Sequence, residues 1–330
     1  MKFDSRICVA GGDTLIGAAI LRRLLIQGYK EAINRREPEP DLTDGAETEA
    51  FFARYVPEYV FLAAGKSGGI QENMARPAEL MRDNLLVTTS VVHAAWKTGV
   101  RKLLYLASSC SYPRNSPQPM AVGSLMSGPL EPTNEPYAMA KMAGVSLCRA
   151  YRLQYGADFF SVFPANAFGP GDDFRPESSH VIPALLRKMH EAKMAGAPFV
   201  DVWGSGRPRR EFIYSDDLAD SCIYLMQKYD RPGPVNVGGG TTVSIGELAA
   251  LVQEVVGYRG VLRFDSSKPD GMPLKSLDSG ELAAMGWQPA TPLREALATT
   301  YDWFLSMSST EAVWDREDRT SEGTVHSDGE

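Results

Sequence analysis

Short apolar runs alternate with amphipathic segments through the first half of the chain. The runs are rich in branched and aromatic side chains, which predicts strands at residues 6–10, 59–62, 102–107 and 159–163. Between the strands, apolar residues recur three and four positions apart, which predicts helices at residues 15–27, 84–98 and 136–155. Strands that alternate with helices form βαβ units, so we expect an α/β fold with a doubly wound parallel sheet.

The pattern changes near residue 168, where proline and glycine become denser and the regular alternation ends. Helical spacing persists at residues 244–256, 279–285 and 292–307, the first two with a serine at the capping position. We predict two domains, residues 1–170 and 171–307, the second a smaller α/β domain from which some segments return to the first. Residues 308–330 are polar and acidic, which predicts a disordered tail.

A glycine-rich turn connects the first predicted strand to the first predicted helix. Its residues are Gly11, Gly12, Asp13, Thr14, Leu15, Ile16 and Gly17. Glycine permits a tight turn and close packing of helix on strand, and the N–H groups at the helix start bind a pyrophosphate. Because the turn lies in a βαβ unit, it predicts a dinucleotide site of the Rossmann type.

Two arginines, Arg35 and Arg36, stand about twenty residues beyond this turn, at the end of a second predicted strand. An acid at this place would hold a free ribose 2′-hydroxyl. A guanidinium suits a 2′-phosphate instead and therefore favours NADP. The alternative interpretation of the two arginines is a solvated basic turn.

The composition excludes several classes of protein. The 330 residues are 44% hydrophobic and 23% charged, as in ordinary globular proteins. The net charge of -7 provides no basic surface, so we expect no nucleic-acid partner. No apolar run reaches about 18 residues, and the segment before the first strand is too short for a signal peptide. Four irregularly spaced cysteines indicate neither a disulfide framework nor a metal site, so we expect a cytoplasmic protein.

A tyrosine and a lysine are the first candidates for catalysis. Tyr137 and Lys141 are four residues apart and so share one face of a predicted helix. A nearby cation lowers the pKa of a phenol, and we therefore expect Tyr137 to transfer a proton near neutral pH. Ser108 and Ser109 follow the strand at 102–107, at the sheet edge where ligands bind. A serine hydroxyl there bonds the carbonyl oxygen that the tyrosine protonates, which is the arrangement of short-chain dehydrogenase/reductases.

Longer motifs make the resemblance closer. They occur in order along the chain, at residues 63–70, 108–113, 118–120, 128–138, 179–185, 209–212, 267–271 and 300–305. In these motifs, over about residues 5–306, the chain resembles the GDP-L-fucose synthase family of extended short-chain reductases. The acidic tail lies outside the match.

The resemblance implies a two-stage reaction on a GDP-linked 4-keto-6-deoxy sugar. The family epimerises GDP-4-keto-6-deoxy-D-mannose at C3 and C5 and then reduces the C4 ketone with NADPH to GDP-L-fucose. Cys110 and His180 match the family's base and acid, whose thiolate removes a proton and whose imidazole returns one. The implied catalytic residues are Ser108, Cys110, Tyr137, Lys141 and His180.

The resemblance also implies the binding residues and a partner. The cofactor residues that it adds to the turn and the two arginines are Leu106, Ala107, Ser108, Ser109, Lys141, Pro164, Ala165, Asn166, Ala167 and His180. The substrate residues are Lys188, Trp203, Arg210 and Asp270. Residues 1–170 become the NADP-binding domain and residues 171–307 mainly the nucleotide-sugar-binding domain. The helices at 84–98 and 136–155 are those that pair in homodimers of the superfamily, so we expect a homodimer.

Four positions depart from the family. Thr14 replaces a glycine, and its β-branched side chain crowds the pyrophosphate approach. Asp13 replaces an arginine that helps to hold the 2′-phosphate, so NAD remains possible beside NADP. Lys188 stands where an arginine is often found and supplies a point charge instead of a fork. Leu274 replaces a basic residue in the loop after Gly271.

Three other functions stay open on the sequence alone. A relative acting on another nucleotide-linked 4-keto-deoxy sugar would use the same base and acid. A sugar 4-epimerase that keeps NAD bound would need neither Cys110 nor His180. A non-catalytic NADP(H)-binding Rossmann module would bind cofactor without turnover, and the intact pair of Tyr137 and Lys141 argues against it.

Overall fold

The computed structural model describes residues 1–33, 38–176, 178–268 and 270–321, with side chains described up to Met307 in the last helix. Its first half contains β1 (Ile7–Ala10), α1 (Leu15–Ile26), α2 (Gly45–Tyr55), β2 (Tyr59–Leu62), α3 (Ile70–Ala75), α4 (Pro77–Lys97), β3 (Lys102–Leu106), α5 (Glu135–Tyr155), β4 (Phe159–Pro164) and β5 (Asn166–Phe168). Its second half contains α6 (Val181–Met194), β6 (Phe199–Trp203), β7 (Arg209–Tyr214), α7 (Ser215–Lys228), β8 (Val235–Val237), β9 (Thr242–Ser244), α8 (Ile245–Val256), β10 (Val261–Asp265), β11 (Leu274–Lys275), α9 (Gly280–Ala284) and α10 (Leu293–Ser321).

A five-stranded parallel sheet forms the centre of the fold, in the order β1-β2-β3-β4-β8. The strands of this sheet are almost completely buried, as expected for a parallel sheet covered on both faces. Helix α1 packs against α7, whereas α2, α4 and α5 pack together. The predicted α/β fold with a doubly wound parallel sheet is confirmed.

One predicted strand is almost absent. The chain after α1 makes an isolated parallel bridge between Ala32 and Ile7, and no strand is described there. Residues 34–37 lie outside the described residues, and with them the predicted cofactor residues Arg35 and Arg36. The prediction that these arginines end a second strand therefore stays a prediction.

Smaller sheets and a second apolar core lie beyond residue 165. Strands β11, β7 and β5 form one sheet, to which β9 adds antiparallel to β7, while β6 and β10 form a parallel pair. Helices α6, α8 and α10 bury Leu186, Leu248 and Leu297 together. Helix α7 and strand β8 instead contribute to the first core, through residues such as Leu225 and Val235. The predicted domain boundaries stay a prediction.

Helix ends agree with the predictions to different degrees. Ser244 forms a capping box with Glu247 at the start of α8, as its position indicated. Ser279 precedes α9 but makes no side-chain cap, because its hydroxyl accepts a hydrogen bond from the Gly238 N–H at 2.8 Å. Helix α4 begins at Pro77, two turns before the predicted start.

The last helix also differs from its predicted extent. Helix α10 continues to Ser321, whereas the predicted helix ended at Met307 and gave way to a disordered tail. No side chain beyond Met307 is described, so the disordered tail predicted from residue 308 stays a prediction. Residues 322–330, the rest of the predicted tail, lie outside the described residues.

Two kinds of feature are absent from the described residues. None of the helices described is long and apolar enough to cross a membrane. In the same part of the chain, no group of three or more His, Cys, Asp or Glu side chains is placed to hold a metal ion.

Candidate active site

The glycine-rich turn is packed so tightly that two of its positions require glycine. Gly11 has φ of 84°, and a Cβ there would lie 2.5 Å from the backbone of Ala64. A Cβ on Gly17 would lie 1.9 Å from the carbonyl oxygen of Gly11. Helix α1 thus starts directly against the end of β1, with the N–H groups of its first turn at the sheet edge. This geometry fits a dinucleotide pyrophosphate.

Thr14, which replaces a family glycine, acts as the N-cap of α1. Its hydroxyl donates to the Gly11 carbonyl oxygen at 2.7 Å and accepts from the Gly17 N–H at 3.1 Å. The side-chain oxygen is therefore directed back into the turn. The β-branched residue gives the helix a cap that glycine lacks, which favours this conformation of the turn.

The sequence analysis missed an acid at this turn. Both carboxylate oxygens of Glu39 lie 2.9 Å from the N atom of Gly11, which donates to them. A carboxylate near the first glycine is the feature that holds ribose hydroxyls in dinucleotide sites. The position of Glu39, about twenty residues beyond the turn, could have indicated a ribose-binding acid, but the prediction was made from the neighbouring arginines instead.

The other predicted cofactor residues lie along one edge of the central sheet. Leu106 ends β3 and is followed by Ala107, Ser108 and Ser109. Pro164 ends β4, and Ala165 leads into Asn166 and Ala167 of β5. Because β3 and β4 are neighbouring parallel strands, their carboxyl ends meet at the same edge. Brought together in this way, these residues lie where open α/β sheets bind ligands.

Ser108 follows the end of β3 and lies near Tyr137 on helix α5. Its hydroxyl oxygen accepts from the Cys110 N–H at 3.2 Å and caps a single 3₁₀ turn, Ser109–Ser111. The same side chain lies near the hydroxyl of Tyr137 on α5 and acts to lower the pKa of that phenol. The predicted pair of Ser108 and Tyr137 is thus brought together.

Lys141 lies one turn beyond Tyr137 and is equally buried. Its ammonium donates to the Leu106 carbonyl oxygen at 3.2 Å and lies 6.0 Å from the centre of the Tyr137 ring. Burial lowers the pKa of Lys141 to about 8. Burial also raises the pKa of Tyr137 above its ordinary value, with a further increase from Cys110 and a partial offset by Ser108. The expectation that Lys141 lowers the pKa of Tyr137 is therefore wrong for this structure, because desolvation dominates.

We expect Lys141→Met to stabilise the cofactor-free protein by about 2 kcal/mol at pH 7. A lysine whose pKa is lowered to about 8 from 10.5 costs about 3 kcal/mol of folding free energy below pH 8. The lost hydrogen bond to Leu106 offsets about 1 kcal/mol of this gain. Above about pH 8 the folded protein loses this proton, whereas the unfolded chain keeps it up to pH 10.5. The difference in stability between variant and wild type should therefore disappear as pH rises towards 10.5. Urea unfolding of both proteins at pH 7 and pH 10 measures it, and a variant less stable at pH 7 would contradict the expectation.

Cys110 is half-buried beside a lysine that the sequence analysis did not select. The ammonium of Lys275, on β11, lies 3.5 Å from Cys110 Sγ. The position next to it, Leu274, was noted in the sequence as a departure from the family, but nothing in the local pattern indicated that Lys275 would reach Cys110.

His180 lies immediately before α6 and makes no side-chain cap to that helix. The residue is partly open to solvent. Protein atoms around its imidazole nevertheless remove part of its hydration, and this desolvation lowers its pKa. Lys275 lowers the pKa of His180 further, and Asp173 partly offsets this. Lys275 therefore lies against Cys110 and also acts on the pKa of His180.

The predicted substrate residues meet at the ends of β6 and β7. The ring of Trp203 lies 5.3 Å from the ammonium of Lys188 and 5.4 Å from that of Lys268. Trp203 is 48% exposed, so one part of its indole remains open to a ligand. Lys268 is a second cation here that the sequence analysis placed in a motif but did not choose.

Arg210 and Asp270 also lie together, but they are engaged by the protein. The guanidinium of Arg210 donates to the carbonyl oxygens of Met272 and Asp270. The carboxylate of Asp270 accepts from the N–H and hydroxyl of Ser205, at 2.6 and 2.7 Å, and these bonds lower its pKa. Both side chains hold the loop around residue 271 against the end of β6.

Comparison with known proteins agrees with this geometry. The chain matches the NAD dependent epimerase/dehydratase family over residues 7–238. It is 53% identical over 301 residues to the probable GDP-L-fucose synthase 1 of Oryza sativa subsp. japonica, covering 91% of this chain and 92% of the relative. It is 46% identical over 309 residues to the GDP-L-fucose synthase of Escherichia coli (strain K12), covering 91% and 96%.

A solved structure shows the same likeness. The GDP-L-fucose synthetase from Naegleria fowleri bound to NADP is similar to this chain with a TM-score of 0.86 and 30% identity, covering 94% of this chain and 95% of that one. The family match extends across the glycine-rich turn, Ser108 and Tyr137. The chain therefore belongs to the NAD dependent epimerase/dehydratase family and, within it, to the GDP-L-fucose synthase family.

Proposed function

We propose that the protein epimerises GDP-4-keto-6-deoxy-D-mannose at C3 and C5 and then reduces the C4 ketone with NADPH to give GDP-L-fucose. The observation that carries this proposal is the position of Cys110 next to Ser108 and close enough to Tyr137 to act on its pKa. A reductase that only transfers hydride needs no thiol next to its acid. Epimerisation beside a ketone needs a base there, and a thiolate is one.

In the epimerisation, the residues act on carbons that flank the ketone. Ser108 and Tyr137 donate hydrogen bonds to the C4 oxygen and so stabilise the enolate that forms when a proton leaves C3 or C5. Cys110 removes that proton, and His180 supplies one from the opposite face. Surrounding protein and Lys275 lower the pKa of His180, which makes its imidazolium a better proton donor.

In the reduction, the same hydroxyls act on the same oxygen. NADPH, when bound, supplies the hydride that reduces C4. Tyr137 transfers its proton to the C4 oxygen, and burial keeps this phenol protonated at neutral pH. Lys141, fixed by its bond to the Leu106 carbonyl, holds the nicotinamide ribose and lies beside the Tyr137 ring.

Positively and negatively charged residues act in opposite directions on the preference for NADPH. Arg35 and Arg36 would favour the 2′-phosphate by charge. Asp13 and Glu39 carry negative charge at or near the glycine-rich turn and would oppose it. The NADP named with the Naegleria fowleri structure supports NADPH for this chain.

The GDP half of the substrate binds at the ends of β6 and β7. The half-exposed indole of Trp203 offers a stacking face, and Lys188 and Lys268 beside it offer positive charge to the diphosphate. Arg210 offers the diphosphate those guanidinium N–H groups that do not bind backbone carbonyls. Asp270 holds the loop in place through its hydrogen bonds with Ser205.

The protein acts as a homodimer in the cytoplasm. Helices α4 and α5 supply the dimer interface, which is supported by exposed apolar side chains on both: Leu86 on α4, and Met139 and Leu153 on α5. The four cysteines are free, which fits a reducing compartment.

An assay of NADPH oxidation at 340 nm with GDP-4-keto-6-deoxy-D-mannose tests the proposed function. We expect oxidation with formation of GDP-L-fucose, and a parallel assay with NADH to give a lower rate. A different product sugar would indicate the relative that acts on another 4-keto-deoxy sugar. Cofactor binding without oxidation of any such substrate would contradict the proposal and favour the non-catalytic module.

A further inference from the structure

Lys275 is the lysine whose ammonium lies against the sulfur of Cys110. It is half-buried at the end of β11, and its Nζ approaches Sγ to 3.5 Å. Strand β11 pairs with β7 so that Lys275 stands opposite Arg210. A lysine in this position is placed on the site by the sheet and not by a surface loop.

A buried carboxylate anchors the segment that carries Lys275. Glu211 is 4% exposed and accepts hydrogen bonds from the Leu277 N–H at 2.7 Å and the Ser276 hydroxyl at 3.3 Å. It also accepts from the Gly240 N–H at 3.1 Å. The Ser276 N–H donates in turn to the side-chain oxygen of Gln118 at 2.9 Å. The backbone directly after Lys275 is thus held on two sides, which limits where the ammonium can lie.

Several elements contribute charged or titratable groups around this thiol. Tyr137 approaches from α5, and Cys110 raises the pKa of its phenol. Lys275 approaches from β11, and it also acts on His180 in the segment before α6, as does Asp173. Desolvation raises the pKa of Tyr137 and lowers that of His180, so it favours a positive charge on neither group. Lys275 therefore supplies the positive charge that a thiolate at Cys110 needs.

We propose that Lys275 is a further residue of the epimerisation site, which stabilises the thiolate of Cys110 before proton abstraction. This inference rests on the proposed role of Cys110 as base. In the step itself, Sγ forms a bond to the proton of C3 or C5, and the electron pair of the broken C–H bond moves to the C4 oxygen. Lys275 keeps its own protons throughout and transfers none.

The charge of the site explains why a fixed cation is useful. Before abstraction the negative charge is on sulfur, 3.5 Å from the ammonium. Afterwards it is on the enolate oxygen near Ser108 and Tyr137, and the thiol is neutral. Coulomb attraction in a partly desolvated site is stronger than in water, so a nearby ammonium raises the fraction of Cys110 that is ready to react.

Alkylation of Cys110 by iodoacetamide, without substrate, tests the proposal. The other cysteines, Cys8, Cys148 and Cys222, are at most 1% exposed, so Cys110 is the cysteine open to the reagent. We expect Lys275→Met to alkylate about tenfold more slowly at pH 7, with its pH profile moved up by about one unit. Lys275→Arg, which keeps the charge, should remain within about threefold of wild type.

Controls separate this effect from damage to the fold. Cys110→Ser gives the background of alkylation, and Lys97→Met removes a lysine that pairs with Glu49 instead of with the thiol. NADPH binding, followed by its fluorescence, should be equal in wild type and Lys275→Met. Alkylation of Lys275→Met at the wild-type rate and pH profile would overturn the proposal.

A second readout distinguishes this inference from the proposed function. We expect Lys275→Met to slow exchange of the substrate's C3 and C5 protons with solvent by about tenfold or more. If alkylation slows but wild type shows no exchange, the contact acts as proposed and the assigned reaction is wrong. If wild type exchanges and the variant alkylates and exchanges normally, the reaction stands and Lys275 has no part in it.

Discussion

Cys110→Ser is expected to lower exchange of the substrate's C3 and C5 protons with solvent by about 10²- to 10⁴-fold. A serine hydroxyl keeps the size of the side chain but forms no anion near neutral pH. The fold around it should persist, because the cap from Ser108 to residue 110 uses the backbone N–H and not the sulfur. Exchange is measured by NMR in deuterated water, with the cofactor-bound protein and before reduction.

The same variant should keep its cofactor site. Cys110 contributes to the proposed epimerisation site with Lys275, and the glycine-rich turn follows another strand of the sheet. We therefore expect the affinity for NADPH to change by less than about threefold. Exchange at the wild-type rate would remove Cys110 from its assigned role, whereas joint loss of exchange and cofactor binding would indicate a structural effect.

Tyr137→Phe is expected to lower NADPH oxidation by about 10²- to 10⁴-fold with the fold intact. The variant removes the proton that the C4 oxygen receives and one of two hydroxyls at that oxygen. Because burial raises the pKa of Tyr137, the phenol stays protonated through neutral pH, and wild-type reduction should show no loss from its ionisation there. Stopped-flow absorbance at 340 nm measures the reduction step.

A second buried tyrosine provides the matched control. Tyr105, on β3, packs against Lys141, and its hydroxyl donates to the Lys141 carbonyl oxygen at 3.4 Å. Tyr105→Phe removes the same atom from the same neighbourhood but no proton from the reaction, so reduction should remain within about fivefold of wild type. Equal losses in the two variants would show that packing around Lys141, and not the acid, limits the reaction.

The local patterns of the sequence determined much of the fold. Alternation of strands and helices predicted the parallel sheet, and the spacing of Tyr137 and Lys141 predicted their shared helix face. Gly11 and Gly17 marked a turn that the structure shows to be too tight for a side chain. These features are local, since turn geometry, helix period and capping depend on residues only a few positions apart.

The tertiary structure alone decided the electrostatics of the site. Lys275 lies 165 positions from Cys110 along the chain, and no local pattern relates them. The direction of the pKa shift of Tyr137 was also mispredicted, because spacing shows that Lys141 is near but not that both groups are buried. Desolvation depends on every element packed around a group, so it is a property of the folded molecule.

Sequence by itself thus determined the elements, the turn and the identity of the family motifs, because each is encoded within a short stretch of chain. Only the tertiary structure decided that Glu39 reaches Gly11 and that Asp270 binds Ser205. It likewise decided that Lys275 faces the thiol. Such contacts join side chains from distant segments, and their distances follow from how the two cores and the sheet edges pack.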